Sequence, residues 1–115
     1  MSLHQQVDVL RRIDPRYRCY TGGHSTATLS IELANGESWG FAWGRFSRYH
    51  FDRDKLVLTF TEYQIEIHGR NLPKLLRDIR QFQLELLREL PLDYQALADP
   101  TEPFVETIEI RLVAG

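Results

Sequence analysis

The sequence predicts an α+β fold in which an antiparallel β-meander of about five to six strands is covered by one long amphipathic helix. Two observations carry this prediction. Apolar and polar residues alternate through much of residues 26–67, which is typical of half-buried strands. Residues 72–90 instead repeat apolar side chains at helical spacing. With 115 residues, 43% of them hydrophobic and 26% charged, the chain is expected to form a single domain over residues 1–115.

The N-terminal residues predict a short helix and then a short strand. Apolar residues of the segment 3–14 recur at helical spacing: Leu3, Val7, Leu10 and Ile13. Pro15 ends this pattern, because proline disrupts the interior of a helix. Residues 16–20 are then expected to form a short strand ahead of a turn at Gly22.

The clearest strand is residues 26–33, and the Asn35-Gly36 pair that follows predicts a hairpin to the aromatic segment beginning at Trp39. A two-residue turn would pair Leu33 with Ser38 and place the apolar stripes of the two strands on opposite faces. A three-residue loop with Gly36 left-handed pairs Ile31 with Trp39 and places both stripes on one face. The second register is favoured, because one layer then buries all the large side chains.

Two further hairpins follow from the same alternation. A four-residue turn over residues 52–55 pairs Tyr49 with Leu58, and a turn at residues 61–62 pairs Leu58 with Ile65. Each large apolar residue then faces another across the strands. This gives the meander its predicted order.

The long helix is predicted over residues 72–90, with Asn71 as its N-cap and Pro91 as its stop. Its apolar stripe consists of Leu72, Leu75, Leu76, Ile79, Phe82, Leu86, Leu87 and Leu90. Ile79 and Phe82 are therefore expected to be buried against the sheet. Alternation resumes over residues 104–113, which predicts a final C-terminal strand.

Cysteine content, with the absence of a recognisable signal peptide or membrane span, favours a cytoplasmic protein. The net charge of -2 gives no general attraction to nucleic acid or to an anionic membrane. The lone Cys19 cannot form an internal disulfide, which favours a reducing compartment. No window approaches the ~20 apolar residues of a membrane span, and no signal peptide is recognisable, so no membrane association is expected.

No catalytic, cofactor-binding or metal-binding motif stands out in the sequence, so none of these sites is predicted. The four histidines are scattered, and Cys19 with His24 lacks a second pair at metal-ligand spacing. Glu66 and His68 are the best acid and base candidates for a small enzyme, which is the third of the functional hypotheses.

Aromatic and arginine residues interleave over residues 39–53, and the candidate contact surface there comprises Trp39, Trp43, Arg45, Arg48 and Tyr49. Aromatic platforms beside guanidinium groups are typical of surfaces that stack nucleic-acid bases. Core strands with solvated arginines have the same pattern, and this interpretation is favoured because the hairpin registers already require buried aromatics.

The junction between the meander and the predicted helix offers a second candidate site, made of His68, Gly69, Arg70 and Asn71. A helix N-terminus presents free N–H groups to anions, and Arg70 has the forked geometry that binds phosphate or carboxylate. The simpler interpretation is a turn at Gly69 with Asn71 as a cap.

The leading functional hypothesis is a small non-enzymatic protein-interaction or assembly module, whose expected partner is a second copy of itself or another protein. One helix covers too few strands to bury the whole sheet, which leaves apolar surface for a homodimer. The residues assigned to self-association are Leu84, Arg77, Arg80 and Arg88. The alternative is a nucleic-acid or small-anion binding domain that uses residues 39–53 and 68–71.

Overall fold

The computed structural model describes residues 18–113, and within this range eight strands form two four-stranded sheets. The strands of sheet 1 are, in spatial order, β1 (Tyr20–Gly22), β7 (Leu84–Arg88), β2 (Thr28–Glu32) and β3 (Ser38–Ala42). Those of sheet 2 are β4 (Phe46–Asp52), β5 (Lys55–Phe60), β6 (Tyr63–Arg70) and β8 (Phe104–Leu112). A 3-10 turn, Trp43–Arg45, carries the chain from β3 into β4.

β2 and β3 form the hairpin that the sequence predicts, closed by a three-residue loop. Ile31 pairs with Trp39, and the Leu33 N–H donates to the Glu37 carbonyl at 2.8 Å. Gly36 has a φ of 96°, a left-handed conformation that glycine adopts without the steric cost of a Cβ. The predicted three-residue register is confirmed, because Leu33 does not pair with Ser38.

β4, β5 and β6 form an antiparallel meander, and β8 returns to pair with β6. Tyr49 pairs with Leu58, and Leu58 pairs with Ile65, so both predicted registers are confirmed. The first turn is tighter than predicted, since Asp52 and Lys55 already pair with each other. The predicted C-terminal strand is confirmed as β8.

The predicted long helix over residues 72–90 is wrong, and so is the fold class of a meander covered by that helix. A 3-10 turn, Leu72–Leu75, continues into one short helix, α1 (Leu76–Arg80), for nine residues in all. Phe82 then adopts a φ of 56°, and the Gln83 N–H donates to the Asp78 carbonyl at 2.7 Å. Because a left-handed residue cannot continue an α-helix, the chain turns back at this point.

The residues that follow form β7, which lies between β1 and β2, antiparallel to β1 and parallel to β2. Leu84 and Leu87 are fully buried there, whereas Glu85 is exposed. A short run rich in leucine satisfies a helical stripe and a strand equally well, so its periodicity does not decide between them. The strand is selected because it supplies hydrogen-bond partners to the backbones of β1 and β2.

The buried side chains of both sheets and of the short helix belong to one hydrophobic cluster. Ile79 is fully buried, as predicted, and packs in this cluster with Leu72 and Leu75. Phe82 is 47% exposed, so its predicted burial is wrong. The left-handed turn at Phe82 directs its ring to the rim of the core, where its centroid lies 5.6 Å from that of Trp43.

The predicted N-terminal helix over residues 3–14 lies outside the described residues. The strand predicted for residues 16–20 overlaps the described structure at its end, where β1 begins at Tyr20. Tyr20 donates a hydrogen bond from its hydroxyl to Glu102 at 2.9 Å. This bond ties the edge of sheet 1 to the loop that precedes β8.

Candidate functional site

The aromatic side chains of residues 39–46 join the two sheets. The ring centroids of Phe41 and Phe60 lie 5.2 Å apart, and those of Trp39 and Tyr63 lie 5.4 Å apart. Trp43 is buried, and its indole N–H donates to the Leu84 carbonyl at 3.0 Å. The rings therefore pack as a protein core does, and the buried indole N–H of Trp43 has a hydrogen-bond partner.

The five residues of the predicted aromatic and basic surface do not lie on one surface. Trp43 is in the core, and Tyr49 is half-buried, with its hydroxyl accepting a hydrogen bond from Arg80 at 2.9 Å. Arg48 is exposed on the outer face of sheet 2, whereas Arg45 is exposed at the turn between the sheets. Trp39 is half-buried near the start of β3, with its ring against that of Tyr63.

His68, Gly69, Arg70 and Asn71 do not converge on a helix N-terminus. Asn71 has a φ of 57° and makes no side-chain capping bond; its amide instead donates to the Pro100 carbonyl at 2.8 Å. The predicted cap is therefore wrong. The guanidinium of Arg70 lies over the ring of Phe104, and its Nε has no hydrogen-bond partner among the described residues.

The residues assigned to self-association are also separated. Leu84 is fully buried, so a contact surface of the folded chain cannot include it. Arg77 and Arg80 lie on α1, and Arg88 lies on β7, where its Nε donates to the Arg18 carbonyl at 2.7 Å. Arg80 is already engaged by Tyr49.

Two surface features outside these sets have the geometry of binding sites. The first is an open cavity of about 500 Å³ on the outer face of sheet 2, which we call the outer-face cavity. Its polar lining includes Arg48, Lys55, Thr59, Gln64, Glu66 and Arg111. Its volume is within the usual range for small-molecule sites.

Glu66 lies at the centre of the charged groups of this cavity. Its carboxylate pairs with Arg111, with Lys55 at 3.5 Å and with the Nε2 of His68 at 3.3 Å. Burial acts to raise the pKa of Glu66, but the charges of Arg111 and Lys55 and the hydrogen bonds from Lys55 and His68 hold that pKa below its ordinary value. The carboxyl group is therefore ionised at neutral pH.

The second feature is a groove of about 340 Å³ between the free edge of β3 and the turn that joins β5 to β6, which we call the edge groove. Its floor is aromatic, with Phe41, Phe60 and Tyr63. Its two charged residues are Arg45 and Glu62. Gly40 and Ala42 of β3 form one wall together with Trp39.

Sequence reasoning missed most of these residues. The predicted registers of β4, β5 and β6 already place Arg48 and Glu66 on the face opposite the apolar stripe, whereas Lys55 was assigned to the turn between β4 and β5. Arg111 joins them only because β8 pairs with β6, and no local pattern indicates that pairing. The edge groove depends on how the two sheets pack, so the sequence carries no signal for it.

Within residues 18–113, no three side chains of the types His, Cys, Asp and Glu are grouped in a way that would hold a metal ion. Among the same residues, no helix has both the length and the apolar character needed to cross a membrane.

Comparison of the chain with protein-family models, with curated proteins and with solved structures finds no match.

Proposed function

We propose that this protein is a non-enzymatic assembly module that pairs with a second copy of itself through the free edge of β3. The observation that carries the proposal is the open backbone of that strand. Among residues 18–113, β3 is the last strand of sheet 1, and its register with β2 places the N–H and C=O groups of Ser38, Gly40 and Ala42 on the side that no described strand pairs with. Such an edge is a template for another strand.

The other strand edges of the described structure have features that discourage pairing, and β3 lacks them. β1 has only three residues and an irregular register. β4 contains a bulge before Arg48 and also carries His50 and Asp52. β8 carries Glu106, Glu109 and Arg111. β3 has no charged residue, no proline and no bulge, so nothing in its sequence opposes the addition of a strand.

The sequence of β3 is suited to pairing with itself. A twofold axis at Gly40 places Ser38 of each copy opposite Ala42 of the other, and these small side chains allow close approach. The charged groups of the edge groove, Arg45 and Glu62, have opposite signs and balance each other. Two copies that meet at this groove therefore do not repel one another.

An enzymatic function has less support from the same geometry. Glu66 and His68 do lie together, but the carboxylate is held by three partners and its pKa is lowered. A carboxylate with a lowered pKa is a weak general base near neutral pH. This is the reason for placing assembly ahead of catalysis.

The substitution Ala42→Pro tests the proposal. Ala42 has a φ of -70°, which proline adopts without strain, and its N–H faces the free edge. Proline should therefore remove an intermolecular donor and leave the β2–β3 hairpin intact. Light scattering coupled to size-exclusion chromatography should give about twice the 13.5 kDa chain mass for the wild type and the single-chain mass for Ala42→Pro.

Ala42→Ser is the matched control, since it keeps the N–H and a small side chain and should remain dimeric. Circular dichroism shows whether the proline variant keeps its strand content. A monomeric wild type, or a folded Ala42→Pro protein that stays dimeric, would contradict the proposal.

A further inference from the structure

The outer face of sheet 2 carries its polar side chains in cross-strand rows. One row runs across all four strands: Arg48 of β4, Thr59 of β5, Gln64 of β6 and Arg111 of β8. The next row on this face contributes Glu66 to the same cavity, and the row after it contributes Lys55. The two arginines thus stand at opposite edges of the sheet, with a hydroxyl and an amide between them.

The charge of this cavity is positive, although the whole chain is slightly acidic. Arg48, Lys55 and Arg111 line the cavity with positive charges, against the carboxylate of Glu66 and that of Glu109, which pairs with Arg111 at 2.9 Å. Arg48 is exposed, and its guanidinium has no hydrogen bond or ion pair with another described residue. A guanidinium with all its donors free is suited to bind phosphate or carboxylate in a bidentate manner.

Glu66 gives the cavity a fixed geometry. Only 15% of its side-chain surface is exposed, and it binds both Arg111 and Lys55. These two cations are therefore held in place before any ligand arrives, which lowers the entropic cost of binding. Glu109 also pairs with Arg111 at 2.9 Å, so two carboxylates balance these two cations, and the excess positive charge of the cavity is that of Arg48.

From these observations we propose that the outer-face cavity binds a small molecule bearing phosphate or carboxylate groups. The anionic group is held by Arg48 with Lys55 or Arg111, and the polar remainder contacts Thr59 and Gln64. Single-stranded nucleic acid is a poorer fit, because Phe46 and Phe60 pair on the opposite face, and Tyr49, which does line the cavity, has its hydroxyl bonded to Arg80. This site does not depend on the pairing of β3.

Nuclear magnetic resonance titration of the full ¹⁵N-labelled chain tests the proposal, with sodium pyrophosphate and sodium citrate as probes and sodium chloride at matched ionic strength as the reference. At least one probe should give saturable shifts of the Thr59 and Gln64 amide signals, whereas chloride should not. Saturation by pyrophosphate alone identifies a phosphate site, and saturation by citrate alone identifies a carboxylate site.

Arg48→Ala should weaken the binding of the active probe by about tenfold or more, since it removes a charge-assisted hydrogen bond. Arg77→Ala is the matched control: it removes the same charge from an exposed position on α1 and should leave the affinity within about twofold. The dispersion of the amide spectrum shows that each variant is folded. Absence of saturable shifts with both probes, or an unchanged affinity in folded Arg48→Ala, overturns the proposal. Tighter Arg48-dependent binding of a single-stranded oligothymidylate at the same amides also overturns it, in favour of nucleic acid.

Discussion

Replacing Gly69 with alanine tests how closely β6 and β8 approach each other. Gly69 pairs with Val105 just after a shift in register. A Cβ at this position would lie 3.0 Å from the carbonyl carbon of Phe104 and 3.2 Å from the Cα of Val105, and closer still to the Phe104 oxygen. All of these are backbone atoms, so no side chain can rotate away to make room.

The expected cost follows from the movement that the new methyl group requires. An ordinary contact of a Cβ lies at 3.4–4 Å, so the two strands must separate locally. Phe104 and Val105 are fully buried and packed in the core, which resists that separation. Overpacking of this kind costs about 1–3 kcal/mol, and Gly69→Ala should lower the free energy of unfolding by that amount.

Gly44→Ala is the control, because a Cβ at Gly44 meets no atom within 4 Å. Its effect should stay within about 0.5 kcal/mol, as for most surface substitutions. Urea unfolding of both variants, followed by tryptophan fluorescence, measures the difference. If Gly69→Ala unfolds at the same urea concentration as Gly44→Ala, then β6 and β8 do not approach as described.

Two further predictions concern titratable groups of sheet 1 and its neighbouring loop. Cys19 is buried, its thiol donates to the Pro103 carbonyl at 3.0 Å, and burial raises the pKa of that thiol. A thiol reagent should therefore modify the native chain at least about tenfold more slowly than the urea-unfolded chain. Equal rates of modification would contradict this prediction. Burial, with the hydrogen bond to Glu102, raises the pKa of Tyr20 from 10.0 to about 12. The neutral hydroxyl therefore stabilises the fold fully below pH 10 and less as the pH rises towards 12. The difference in unfolding free energy between the wild type and Tyr20→Phe should shrink across this interval. A constant difference would show that Tyr20 titrates normally.

The hairpins were predictable from the sequence because their contacts are local. Between residues 31 and 39, the loop length and the alternation of apolar side chains leave few registers, and Gly36 selects one of them. The same reasoning predicted the pairing of Leu58 with Ile65. These registers also placed Arg48 and Glu66 on the face away from the core, so part of the outer-face cavity was implicit in the sequence.

Two of the three candidate sites named from the sequence depended on the predicted long helix. The set at residues 68–71 relied on a helix N-terminus that Asn71 does not cap, and Leu84 relied on a helix that ends at Arg80. The edge groove was out of reach, since its walls come from two different sheets.

The sequence by itself determined the β2–β3 hairpin, the β4–β6 meander, the last strand and which face of each is apolar, since turn chemistry and side-chain alternation act over a few residues. Only the tertiary structure decided that residues 84–88 form β7 and that β8 pairs with β6. The physical reason is that a leucine-rich segment gains similar burial as a helix or as a strand. The strand form of this segment makes backbone hydrogen bonds with β1 and β2, whose residues lie more than 50 positions away in the chain. A local sequence pattern cannot indicate these partners.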